Sequence, residues 1–191
     1  MIRALRSSGV LAAVVLAGLL VGACGGSSNS SSTSSEKSPT PSPSKAATYT
    51  VDACKLVTVT DAAAIAGTSV TSQGASAANA PICLYGSSDT NKPASVLVYA
   101  QAFADATAAG STSPEQIAAA MNSGFGISNA KPISGIGDKA IEYNTTGGAG
   151  NGLVIVVFKA NVVFFIYVMP SPDPKALETL AGTAVTRLST A

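Results

Sequence analysis

Histidine is absent from all 191 positions of the chain, and that absence governs what its side chains can do. Ser-His-Asp and Cys-His nucleophile systems cannot be assembled, nor can zinc sites that need imidazole. Carboxylates are left for acid-base work: Asp61, Asp89, Asp105, Asp138, Glu142 and Asp173, two of which could in principle flank a glycosidic bond as acid and base. Their contexts point elsewhere, since Asp61 and Asp173 stand at helix starts and Asp89 in a turn. Gly135-Ile136-Gly137-Asp138-Lys139-Ala140 has the spacing of a dinucleotide fingerprint. That chemistry needs a strand before the motif and a helix after it, so that backbone amides meet a pyrophosphate. Here Lys131 and Pro132 mark a loop before it and a strand-like segment follows, so the expectation is a glycine turn entering a strand. Gly147, Gly148, Gly150 and Gly152 lack the Lys-Ser/Thr pair and helix of a phosphate loop. Asn144-Thr145-Thr146 fits a glycosylation acceptor, a pattern too short to carry weight. The expectation is a protein that is not an enzyme, with no cofactor and no metal.

The elements that would position any binding residues can be read in order. Thr58 followed by Asp61 and an alanine-rich run to Gly67 predicts a short helix with an acidic first turn and a glycine stop. Cys83-Leu84-Tyr85 is extended, and the alternating residues 95–103 predict a strand. Ser113 as cap, Pro114 at the first helical position and Gln116 completing a capping box start a helix expected to end at Gly124. Residues 139–143 read as a strand, 145–152 as a flexible turn, and 153–159 with 162–169 as a hairpin turning at Ala160 and Asn161. Asp173 before Pro174 opens a last helix with Leu177, Leu180, Ala181, Ala184, Val185 and Leu188 on one face.

The hairpin strands are apolar on both faces, whereas a sheet with one wet face alternates with polar residues. Either helices or loops cover both sides, or helices cover one side and an apolar ligand or partner the other. In the second case Tyr99, Tyr143 and Tyr167 are candidates to orient a ligand headgroup; otherwise they are core residues with satisfied hydroxyls. Small residues Ala118, Ala119 and Ala120 on the preceding helix leave volume beside the hairpin. Strands clustered late and joined by short turns predict an α+β fold: an antiparallel sheet of about four to six strands with two to three helices packed on it.

The N-terminus supplies an address. Arg3 and Arg6 precede an apolar stretch of about 12 residues at positions 10–21, too short to span a bilayer and laid out as an export signal. Val21-Gly22-Ala23-Cys24 resembles the lipobox of bacterial lipoprotein signals, which implies cleavage before Cys24 and a diacylglyceryl thioether on its sulfur. Two or more acyl chains hold a protein on a membrane stably. Residues 1–23 are thus read as signal peptide. Residues 24–47 follow as a lipidated cysteine and a Ser/Pro-rich tether, which cannot bury enough apolar surface to order itself and has a reach of roughly 25–30 Å. Residues 48–191 form one extracytoplasmic domain. Without Arg3 and Arg6 the chain has 9 basic against 10 acidic side chains, with no basic cluster for nucleic acid. Cys54 and Cys83 remain, and an even count in an exported protein favours a disulfide over two buried thiols. Closing that loop would stabilise the fold by about 3–4 kcal/mol in the chain-entropy model.

Asp52-Ala53-Cys54-Lys55-Leu56-Val57-Thr58, the helix ending at Gly67, Cys83-Leu84-Tyr85, the 135–140 glycine turn and the late hairpin with Asn161 at its turn together resemble the actinobacterial Lpr-type cell-envelope lipoproteins of an uncharacterised domain family. The likeness covers most of residues 51–189. It departs where that family often has proline at Ala53, leucine at Val57 and tryptophan at Tyr85. The resemblance implies a compact α+β domain, a Cys54–Cys83 bridge and a place on the outer face of the cell membrane, and it carries no catalytic residues over. The functional expectation is a membrane-anchored binding module that contacts an envelope protein, with a carrier or sensor of a lipid or other apolar small molecule as the alternative.

Overall fold

A computed structural model describes residues 48–73, 81–147 and 150–190; Cys24 and the segments expected as export signal and tether lie outside them. Local chemistry sets most helix boundaries. Asp52 caps the one-turn helix α1 (Ala53–Leu56), its carboxylate accepting from Cys54 N–H at 3.0 Å. Thr58 and Asp61 form a capping box at the start of α2 (Val59–Ala66), the helix expected here with an acidic first turn, and Gly67 ends it at φ 64° as expected. Asp105 caps the short α3 (Ala106–Gly110). Ser113 and Gln116 box the start of α4 (Pro114–Phe125). This helix runs through Gly124, the expected stop, and ends at Gly126 with φ 58°, because only at Gly126 does the chain take up the left-handed turn that releases it. Asp173 caps α5 (Pro174–Thr186).

The strands are β1 (Tyr49–Thr50), β2 (Val70–Ser72), β3 (Ile82–Ser87), β4 (Ser95–Ala102), β5 (Ile127–Ile133), β6 (Lys139–Thr145), β7 (Gly152–Lys159), β8 (Val162–Met169) and β9 (Ser189–Thr190). β1 pairs with β9; the others form one antiparallel sheet in the order β2-β3-β4-β8-β7-β6-β5. The α+β class is as expected, but the main sheet has seven strands rather than four to six. The segment expected as a loop around Lys131 and Pro132 is strand β5. Proline is tolerated there because β5 lies at the sheet's edge, where a missing N–H leaves no ladder position empty. Among the described residues the five helices also exceed the expected two to three, through the short elements α1 and α3.

Asp138 and Asn161 hold the central hairpin. Asp138 accepts from Lys159 Nζ at 2.8 Å and from Ala160 N–H at 2.7 Å, fixing the turn where Ala160 has φ 48°. Those two donors hold its carboxyl below the usual range, the Ala160 N–H first. Asn161 is buried; its Oδ1 accepts from Tyr49 N–H at 2.7 Å, and its Nδ2 donates to the carbonyls of Tyr49 and Phe103. The first strand is thereby tied to the centre of the sheet.

The two faces of the sheet differ. On the first, Cys83, Val96, Ile155, Phe164 and Ile166 are completely buried beneath α1, α2 and α5, which contribute Leu56, Ala62, Leu177 and Ala184. The Cys54–Cys83 disulfide, with Cα atoms 5.1 Å apart, bonds α1 to β3 within that layer. On the second face α3 and α4 lie over β6, β7 and part of β8, burying Ile141, Tyr143, Val154, Val156 and Tyr167. Towards β4, α4 lines a cleft together with Tyr99 and Gln101, and farther out Ile82 of β3 is 46% exposed.

Candidate functional site

Strand register defines the uncovered area. Ile82 of β3 faces Tyr99 of β4, Tyr99 faces Phe165 of β8, and Phe165 faces Val156 of β7. These four side chains share the second face as one row across the sheet. Val156 is completely buried under the helical layer, Phe165 and Tyr99 are half-buried, and Ile82 is 46% exposed. The next row repeats the gradient: Leu84 and Leu97 are half-buried, while Tyr167 and Val154 lie within the core. Cys83, Tyr85, Val96 and Val98, on the opposite face of the same strands, are 0–1% exposed. Among the described residues the sheet is therefore sealed on one side and only partly covered over β3, β4 and the adjoining part of β8 on the other.

Where this open area meets α4, a cleft of about 240 Å³ is formed by Tyr99, Phe103, Ile117, Met121, Val163 and Phe165, with Gln101 and Thr112 supplying its polar groups. Tyr99 and Phe165 stack with ring centres 5.3 Å apart and planes 18° from parallel. The Tyr99 hydroxyl donates to Gln101 Oε1 at 2.7 Å. Ala120, on the exposed side of α4, borders the cleft without filling it.

The three tyrosines singled out from the sequence all lie on this second face, but only Tyr99 lines the cleft. Tyr143 is buried under the start of α4, its hydroxyl reaching the Pro114 carbonyl at 3.5 Å; burial pushes its pKa up. Tyr167 packs edge-on against Phe125, ring centres 4.8 Å apart. The cleft's other contributors, Gln101, Phe103, Phe165 and Met121, carry no chemical signature that would mark them in a sequence. Alternation in β4 is the one signal that points to Leu97, Tyr99 and Gln101.

The acidic side chains hold structural positions. Asp61 closes the α2 capping box and also receives Arg187 at 2.5 Å, while Arg187 donates to the Leu56 carbonyl at 2.8 Å. The Arg187 guanidinium, aided by the Thr58 donors, holds the Asp61 carboxyl at about 2 against an ordinary 3.8. The Tyr85 hydroxyl donates to the Val57 carbonyl beside this network, and burial raises its pKa. Asp89 orders a turn by accepting from Asn91 N–H. Glu142 is 6% exposed, with Lys131 Nζ 3.7 Å from one oxygen and also 3.3 Å from Glu178. A larger groove of about 420 Å³ runs between α2 and α5, but its polar groups are taken up: Asp61 by Arg187, Asp173 as a cap, and the Thr179 and Thr183 hydroxyls by backbone carbonyls of α5. Among the described residues no group of three His, Cys, Asp or Glu side chains is placed to hold a metal ion, and no helix is long and apolar enough to cross a membrane.

Fold and site define an α+β domain with a half-covered antiparallel sheet. Over residues 19–186 the chain matches the family described as Protein of unknown function (DUF3558), and it belongs to that family. No curated protein matches the chain.

Proposed function

We propose that this chain is a membrane-anchored, extracytoplasmic lipoprotein of the Lpr type, and that it acts as a non-catalytic binding module for an envelope protein. The reading rests above all on the open half of the second face. Full burial of an apolar side chain such as Leu, Ile or Phe contributes about 1.5–3 kcal/mol. Ile82, Leu84, Leu97, Tyr99 and Phe165 each forgo part of that, and they do so contiguously, which marks a contact surface where scattered exposure would not.

Its chemistry favours a protein partner. None of these five side chains is charged, so nothing among them would attract phosphate or an anionic lipid surface. Strand addition at the sheet edges is also disfavoured. β2 has only three residues, and β5 carries Pro132 and an irregular register between Ser128 and Lys131. Recognition would thus use the face of the sheet. A carrier of an apolar small molecule is the second reading, favoured by the cleft. At about 240 Å³, however, the cleft falls below the roughly 300–1,000 Å³ of pockets that enclose drug-sized ligands, and a lipid chain would remain largely outside.

The test is chemical cross-linking in intact cells, comparing the wild-type chain with Ile82→Asp on the open face and Thr179→Asp on α5. The expected result is a discrete adduct with wild type and Thr179→Asp that Ile82→Asp loses. An identical adduct in all three, or none in any, contradicts the reading.

A further inference from the structure

We infer that the cleft between α4 and the β4–β8 pair is the anchor pocket of the proposed partner surface, and that it takes one aromatic side chain of a protein partner. This inference rests on the binding-module reading and specifies what that surface recognises. Size comes first. A closed apolar cavity of about 150 Å³ holds a benzene ring, so about 240 Å³ suits one substituted ring and is too small for a larger body.

Shape and chemistry agree with size. The stacked Tyr99 and Phe165 rings give the cleft an aromatic side, against which an incoming ring can pack offset or edge-on. Opposite them, Met121 supplies a flexible, polarisable side chain that adapts to an aromatic guest. No ionisable side chain apart from the Tyr99 phenol lines the cleft, so a charged guest would lose its hydration without gaining a counter-charge.

One polar feature separates a peptide residue from a free hydrocarbon. Gln101 is exposed, and its Oε1 is occupied by the Tyr99 hydroxyl. Its amide N–H groups have no protein partner among the described residues, and they sit beside the cleft. A residue whose ring enters the cleft carries its own backbone carbonyl outside, where those donors can meet it. Buried aromatic anchors of this kind commonly dominate an interface's binding energy.

The experiment uses the full chain in phospholipid nanodiscs, with the tyrosine and phenylalanine rings isotopically labelled for NMR. The probes are N-acetyl-L-phenylalaninamide, N-acetyl-L-alaninamide and toluene. The inference expects the phenylalanine probe to shift the Tyr99 and Phe165 ring signals and to bind about tenfold more tightly than the alanine probe. Gln101→Ala should weaken it about fivefold. Ala120→Phe, which places a ring in the cleft from an exposed helix position, should abolish it while leaving the far-UV circular dichroism unchanged. Equal binding of the alanine probe overturns the inference. So does toluene binding as tightly as the phenylalanine probe with Gln101→Ala indifferent, because the pocket would then serve a free apolar molecule. If Ala120→Phe blocks the probe yet keeps the cellular adduct that Ile82→Asp loses, the anchor assignment fails and the binding module stands.

Discussion

Replacing Asp61 by asparagine tests whether the α2–α5 ion pair stabilises the sealed side of the sheet. The carboxyl is held at about 2 against 3.8, chiefly by the Arg187 guanidinium. Because the folded state lowers this value, the stabilisation is complete above about pH 4 and is lost as pH falls towards 2. Taken whole, the difference corresponds to about 2.4 kcal/mol. The two side chains are 31% and 23% exposed, however, and solvent screening of such a pair reduces the net value to about 1–1.5 kcal/mol. Asparagine retains an oxygen that can accept from Thr58 N–H, so the capping interaction is only partly lost. Urea titrations from pH 7 to pH 2 should place the Asp61→Asn midpoint about 0.5–1 M below wild type at pH 7. The two curves should then converge as wild type loses the pair in acid. Midpoints that stay parallel across the whole range would refute the assignment, since the missing stability would then not depend on Asp61 ionisation.

The Cys54–Cys83 bridge, Gly137, Gly182 and Cys24 each give a further expected outcome. Reduction of Cys54–Cys83, which closes a 29-residue separation, should cost about 3–4 kcal/mol in the chain-entropy model, read as a fall in thermal midpoint on adding a reductant and absent in a Cys54→Ser/Cys83→Ser variant. Gly137→Ala should destabilise by at least about 2 kcal/mol, since φ is +62° and a Cβ would lie 2.5 Å from the Phe158 carbonyl oxygen; Gly182→Ala, in the middle of α5 with open space around it, should be neutral or stabilise by up to about 1 kcal/mol. Metabolic labelling with an alkyne fatty acid should mark the wild-type chain and leave Cys24→Ala unlabelled; label retained in Cys24→Ala contradicts the anchor.

Features governed by near neighbours along the chain can be read directly from its sequence. The boxes at Thr58/Asp61 and Ser113/Gln116 and the cap at Asp173 each satisfy helix ends with side chains two or three residues away. The β7–β8 hairpin is visible as two apolar runs around a two-residue turn. What escapes such reading depends on distant pairing. β5, with the sequence Ile-Ser-Asn-Ala-Lys-Pro-Ile, lacks alternation because an edge strand need not bury a face. Apolarity on both sides of the hairpin raises the question of a second cover without answering it. The answer lies in the position of β4 between β3 and β8, which aligns Ile82, Tyr99 and Phe165 in one row that α4 borders at the cleft while Ile82 stays 46% exposed. Tyr143 and Tyr167 look equivalent to Tyr99 in sequence for the same reason: only the path of α4 separates core tyrosines from the one at the cleft.

The central claim, that the open half of the second face is where a partner binds, is tested most directly by placing a photo-activatable side chain at single positions in intact cells. Illumination with the probe at Ile82 or Leu84 should yield one predominant protein adduct. The same probe at Thr179 on α5, above the sealed face, should yield none. Adducts of equal yield at Thr179 and Ile82, or no adduct at either open-face position, would contradict the account.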